Sequence, residues 1–175
     1  MKHKGEAGSG ALGIYTGLKA GGVDFAISVP DSTLNGVNKR LEADPDVNFF
    51  VPTREDEGVA MAVGAYLGGK IPVALMEGSG VGYCGLILAR AQIQRTPLLL
   101  LIGHTMILGE RFDYHAATRM TGAGILQGLG IPNLVVDDRE RTAEIVEQAL
   151  MTVRGQKSIV GLLFPPQVAA EEASS

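Results

Sequence analysis

The chain has 175 residues, 46% of them hydrophobic, a net charge of −4 and a mean hydropathy of +0.18, which bounds it to one domain with a sizeable core and excludes intrinsic disorder. The absence of a basic run, with no tryptophan and 5% aromatics, argues against nucleic acid as a partner. A single cysteine, Cys84, excludes an internal disulfide and a cysteine-built zinc cage, and the longest strongly apolar run, residues 98–102, is too short to cross a bilayer.

In chain order, the opening Met1-Lys2-His3-Lys4-Gly5-Glu6 has no apolar signal core, and a cytoplasmic location is expected. Residues 9–20 read as a helix closed by Gly21-Gly22, and 25–29 as a strand. A helix is expected over 33–43, a strand over 47–51, and a helix over 55–67 that ends at Gly68-Gly69. Then follow a strand at 71–76, a helix at 82–92, a strand at 98–102 and a helix at 117–129. Gly130-Ile131-Pro132 punctuates the chain before a strand at 133–136. The last pair is a helix over 142–153, with Ile145, Ala149 and Leu150 at helical spacing, and a strand over 159–163.

The strands are short and continuously apolar, without alternation, which is the pattern of strands covered on both faces. The expected fold is therefore α/β, a single three-layer domain with a six-stranded parallel sheet over residues 9–167. Residues 1–8 and 168–175 read as loose tails.

In such folds ligands bind at the carboxyl ends of the strands. Those ends read Pro30-Asp31-Ser32, Pro52-Thr53-Arg54-Glu55, Glu77-Gly78-Ser79-Gly80, Gly103-His104-Thr105 and Asp137-Asp138. The long connection 106–116 leaves the same edge with Glu110, Arg111, Asp113 and His115, and a polar loop there reads as a site wall.

Each candidate has a plain structural alternative. Acids opening the helix at 55–67 either complement its dipole or include a carboxylate tuned for proton chemistry by apolar neighbours, here Val59, Ala60 and Met61. Asp56 and Glu57 point elsewhere and read as dipole-complementing acids. Asp31 and Ser32 either cap the helix at 33–43 or face the ligand. His115 is either a solvated loop histidine or a proton-transfer group, and His104 either closes a strand or acts directly. Arg111 either holds an anionic group or pairs with Glu110 or Asp113. Gly80-Val81-Gly82-Tyr83-Cys84-Gly85 matches a dinucleotide fingerprint, but glycine makes up 24 residues and the next strand lacks the ribose-binding acid. Those glycines fit a close approach of backbone to ligand or subunit.

Taken together, Pro30-Asp31-Ser32, Arg54-Glu55-x-Glu57-Gly58, Gly64 nine residues after Glu55, and Ser79-Gly80-x-Gly82 resemble the pyrimidine-binding domain of thiamine-diphosphate enzymes. The likeness spans about residues 11–164. It is strongest to the sulfopyruvate decarboxylase alpha subunits, with the phosphonopyruvate decarboxylases near them. What the resemblance implies is an enzyme subunit in which Glu55 hydrogen-bonds the cofactor's pyrimidine and activates it for loss of carbon dioxide from a small anionic 2-oxo acid. It also implies Ser79 and Gly80 beside the cofactor and Ser32 and His115 on the substrate side, with His115 catalytic; Asp31, His104 and Arg111 are further substrate-binding candidates from their places on the ligand edge.

The chain departs from the group after its third strand. Glu77-Gly78-Ser79-Gly80-Val81-Gly82-Tyr83 stands where the decarboxylases read Gln-Asn-Ser-Gly-x-Gly-Asn, which bears on the sulfonate or phosphonate substrate. The Gly-Asp-Gly segment that holds Mg²⁺ and the diphosphate does not occur. The resemblance therefore implies no metal ligands here, and a beta subunit that carries Mg²⁺ and the diphosphate-binding domain in a hetero-oligomer. Rival readings are a carboligase subunit, a non-catalytic regulatory subunit of the same fold, and a nucleotide-binding module. Retention of Glu55 counts against the second and the missing acid after Ile102 against the third.

Overall fold

The computed structural model describes residues 9–105 and 108–170. Six strands form one parallel sheet: β1 (Phe25–Ser28), β2 (Asn48–Phe50), β3 (Pro72–Glu77), β4 (Leu98–Gly103), β5 (Asn133–Val135) and β6 (Ile159–Phe164), in the order β2-β1-β3-β4-β6-β5. Helices α1 (Gly10–Ala20), α2 (Asn35–Ala43), α3 (Glu55–Leu67), α4 (Gly85–Ile93), α5 (Ala116–Gly128), α6 (Thr142–Gln156) and a one-turn α7 (Pro166–Ala169) connect and flank it.

The continuous apolar runs become the middle of the sheet. Every residue of β4 and β6 is buried, because both faces are covered. One face packs against α1, α2 and α6 through Ile14, Leu18, Leu41, Val146 and Leu150. The other packs against α3, α4 and α5 through Val59, Ala62, Leu88 and Leu126. Truncating a central side chain such as Leu100, fully buried in β4, to alanine costs about 2–5 kcal/mol on the usual scale for core leucines. The outer strands β2 and β5 are partly exposed, as at Phe50 and Leu134.

Three local outcomes differ from the sequence reading. The helix expected from residue 33 begins at Asn35, because the Asp31 carboxylate first closes a turn on the backbone N–H groups of Thr33 (2.7 Å) and Leu34 (3.3 Å). Ahead of α4 the chain forms a tighter 3₁₀ turn, Gly80–Cys84. The chain also stays packed past residue 168: α7 buries Val168 and Ala169 against the α1 face, so the tail does not begin there. Residues 1–8 and 171–175, read as tails, lie outside the described residues.

The strand register positions the site. Glu77 is level with Gly103 across β3 and β4, and Gly103 with Phe164 across β4 and β6. Asp31 follows the end of β1. Three adjacent strands thus deliver Asp31, Glu77 and Gly103 to one edge of the sheet.

Candidate functional site

At that edge lies a cavity of about 310 Å³ lined by Asp31, Ser32, Glu77, Thr105, Glu110 and His115, among others. Asp31 lies across Gly103, where a Cβ would come within 2.6 Å of Asp31 Oδ2; the bare backbone makes room for the carboxylate. Burial raises the Asp31 carboxyl above the ordinary aspartate range. The N–H groups of Thr33 and Leu34 oppose that shift, and the charge of Glu77 adds to it. Ser32 is exposed.

Glu77 is held from two sides. Thr118 Oγ1, on a buried turn of α5, donates to Oε1 at 2.6 Å, and Ser79 Oγ donates to Oε2 at 2.8 Å. Thr121 Oγ1 donates to the carbonyl of Gly78 at 2.8 Å, which ties α5 to the same turn.

His115 closes the far side from a 3₁₀ turn, Asp113–His115. Its Nδ1 stands 2.9 Å from Glu110 Oε2, with the ring N–H not aligned for a formed hydrogen bond. Glu110 Oε1 accepts the N–H groups of Arg111 (2.7 Å) and Phe112 (2.8 Å). The Phe112 N–H foremost, then His115, holds the Glu110 carboxyl below its usual range. The edges of Phe112 and Tyr114 flank the imidazole, with ring centres 5.5 and 4.5 Å away.

Glu55 is the first residue of α3, and its two acidic neighbours are already engaged. Asp56 pairs with Arg54 (3.0 and 2.5 Å), and Glu57 Oε2 accepts the N–H of Thr53 at 2.7 Å, closing the entry to the helix. The half-buried Glu55 carboxylate makes no hydrogen bond or ion pair among the described residues. It lies on Gly80, where a Cβ would come 2.5 Å from Cγ and Cδ of Glu55. An acceptor at a helix N-terminus is left open, with bare backbone beneath it. The apolar surround expected for it is incomplete: Val59 is buried, Met61 half-buried and Ala60 exposed.

A larger open groove, about 480 Å³, lies between α3 and α4, lined by Arg54, Asp56, Glu57, Tyr83 and Arg90 among others. There Arg54 is bound to Asp56 and stands 5.8 Å from the Tyr83 ring centre. The groove is larger, but the titratable groups converge at the strand ends, and the site is assigned there.

Of the residues singled out in the sequence, the fold brings Asp31, Ser32 and His115 around one cavity, Ser79 onto its Glu77 wall, and Glu55 onto Gly80. It leaves His104 and Arg111 out of the cavity lining. The His104 backbone N–H donates to Phe164, and its half-buried ring has its pKa lowered by desolvation, then by Arg119. Arg111 is exposed, and its guanidinium pairs with neither Glu110 nor Asp113. Sequence reasoning missed Glu77 as a wall residue, Thr118 as its support and Glu110 as the partner of His115. Glu77 did stand out as an acid against the amide of the family pattern that the sequence resembles; Thr118 had no signal of its own.

Residues 9–125 match the thiamine pyrophosphate enzyme, N-terminal TPP binding domain. The chain is 39% identical to the sulfopyruvate decarboxylase subunit alpha of Methanocaldococcus jannaschii over 158 residues, 89% of this chain and 92% of that one. It is 32% identical to the same subunit of Methanothermobacter thermautotrophicus over 144 residues, 79% of this chain and 87% of that one. Among solved structures, a 2-oxoglutarate:ferredoxin oxidoreductase from Magnetococcus marinus shares the fold with a TM-score of 0.72 at 18% identity, covering 93% of this chain and 29% of that one.

Proposed function

The chain belongs to the thiamine pyrophosphate enzymes through their N-terminal TPP binding domain, and from that membership we propose that it is the alpha subunit of a two-subunit, thiamine-diphosphate-dependent 2-oxo-acid decarboxylase. The observation that carries the reading is the open Glu55 carboxylate lying on Gly80, while Asp56 and Glu57 are spent on the helix entry.

The residues present fit the cofactor's pyrimidine. The Glu55 carboxyl would share a proton with the ring nitrogen, donating it when protonated and accepting it back when ionised. Bare Gly80 leaves the room that the Glu55 carboxyl occupies, and Ser79 borders it. Thiamine diphosphate, when bound, supplies the electron sink for loss of carbon dioxide from a 2-oxo acid. Asp31, with its carboxyl raised by burial, holds a proton more readily than a solvated aspartate does. His115, set by Glu110 and two aromatic edges, would orient the substrate or move a proton on its side of the cavity.

The reading includes a beta subunit that carries Mg²⁺ and the diphosphate-binding domain. The chain's near-full coverage of two alpha subunits supports this. It also includes a cytoplasmic location; no described helix is long and apolar enough to cross a membrane. The test is calorimetric titration of cofactor with Mg²⁺ into the chain alone and into its complex with the partner, followed by carbon dioxide release from 2-oxo acids. The chain alone should bind poorly and the complex tightly. Tight binding by the lone chain would remove the split-enzyme reading.

A further inference from the structure

Resting on that functional reading, we propose that Glu77 sets the substrate class: a 2-oxo acid whose side chain ends in a neutral hydroxyl, not in a sulfonate or phosphonate. The cavity wall at the end of β3 is the Glu77 carboxylate, and the Thr118 and Ser79 hydroxyls each donate to one of its oxygens. Each oxygen retains a free lone pair, and what it lacks is a further donor.

The charges around it decide what that donor is. No lysine or arginine among the described residues lines the cavity. Arg111 is exposed and outside it, and the one lining histidine, His115, already faces Glu110. An anionic tail would meet the Glu77 carboxylate with no cation of this chain to offset it, and unpaired like charges in a partly buried site are strongly disfavoured. A full cation is not called for either. Two donated hydrogen bonds already spread the charge of Glu77 over both its oxygens. The three acids of the cavity also do not converge as metal ligands; no group of three or more such side chains among the described residues is placed to hold an ion. A neutral hydroxyl satisfies the open acceptors without adding charge.

The experiment uses the reconstituted alpha–beta complex with cofactor and Mg²⁺. kcat/KM is measured for 3-hydroxypyruvate and 3-sulfopyruvate with wild type, Glu77→Gln and Thr118→Val. In parallel, calorimetry measures Kd for glycerate and 3-sulfolactate, which cannot be decarboxylated. Wild type should favour the hydroxyl compounds by about tenfold or more in both readouts. Glu77→Gln should shrink that ratio about tenfold, with a real gain on the sulfonates, since removing the charge removes the repulsion. Thr118→Val keeps the charge; it should weaken hydroxypyruvate turnover with no gain on sulfonates. A wild-type preference for sulfopyruvate, or a ratio unmoved by Glu77→Gln, overturns the proposal while leaving the decarboxylase reading intact. A complex that decarboxylates no 2-oxo acid overturns both.

Discussion

The side chain of Glu55 occupies the space that a Cβ on Gly80 would need. The two residues lie 25 positions apart, at the start of α3 and in the turn after β3. The packing of α3 beside β1 and β3 brings them together. The contact is between a carboxylate stem and bare backbone, so any side chain at 80 would be accommodated by displacing the acid.

Gly80→Ala should therefore act on Glu55 before it acts on the fold. The added methyl meets the flexible end of a side chain, not rigid backbone, and the protein should remain folded with circular dichroism unchanged. Decarboxylation by the complex should fall by about 10²-fold, the scale for misplacing a proton-handling group by an ångström. Full activity in Gly80→Ala would mean that the observed position of Glu55 is not the working one.

The parallel sheet was legible because its strands are apolar without alternation, and α3 because acids open it and Gly68-Gly69 closes it. Much of the site was legible for the same reason: once strands are placed, their carboxyl ends name Asp31, Ser79 and the loop that carries His115. The order of strands was not legible, since nothing local encodes which apolar run lies beside which. Thr118 reaches Glu77 across 41 positions, a pairing that exists only after α5 packs on the turn at Gly78. The short α7 was hidden by Pro165-Pro166, which reads as a break, although proline is well accommodated in a first helical turn.

The clamp between α1 and α2 predicts a pH dependence of stability. Lys19 Nζ stands 2.7 Å from Asp44 Oδ2, and the hydroxyl of Tyr15 donates to the same oxygen at 2.9 Å. Lys19 foremost, then the Asp46 N–H, holds the Asp44 carboxyl below its usual range. A depressed folded-state pKa means that this stabilisation is present above the unfolded value and is lost as pH falls through the folded one. Asp44→Asn should melt below wild type at pH 7. The gap should narrow below about pH 4, where unfolded aspartates begin to bind protons. Thermal melts from pH 7 to 2 check this, and a gap that persists at pH 2 would assign the effect to packing instead of charge.

His115→Ala should slow turnover by about 10²-fold and leave cofactor affinity nearly unchanged, because the imidazole lines the cavity away from Glu55. Glu110→Gln should cost less: the ring keeps its flanking Phe112 and Tyr114 rings and loses only the approach to a carboxylate oxygen. Single-turnover kinetics beside cofactor titration separate the two readouts. A His115→Ala complex that loses cofactor but keeps kcat would move the histidine from the substrate side to the cofactor side.

Glu55→Gln against Glu57→Gln is the sharpest comparison, because adjacent acids on one helix turn have opposite surroundings. Glu57 already accepts the Thr53 N–H, and the exchange of an acid for an amide there weakens a cap, worth about 1 kcal/mol of stability on the usual capping scale. Glu55 has no such bond, so its replacement leaves the helix entry intact and should leave the melting temperature within a degree or two of wild type. Glutamine keeps the shape and a hydrogen-bonding group but cannot hold the proton. Exchange of the thiazolium C2 proton of bound cofactor, followed by NMR in the complex, should therefore slow by about 10²-fold or more in Glu55→Gln and remain near wild type in Glu57→Gln. The melts should show the reverse order, with Glu57→Gln the less stable of the two. If Glu57→Gln stopped exchange and Glu55→Gln did not, the working acid would lie two positions further along α3, and the contact with Gly80 would have no part in the chemistry.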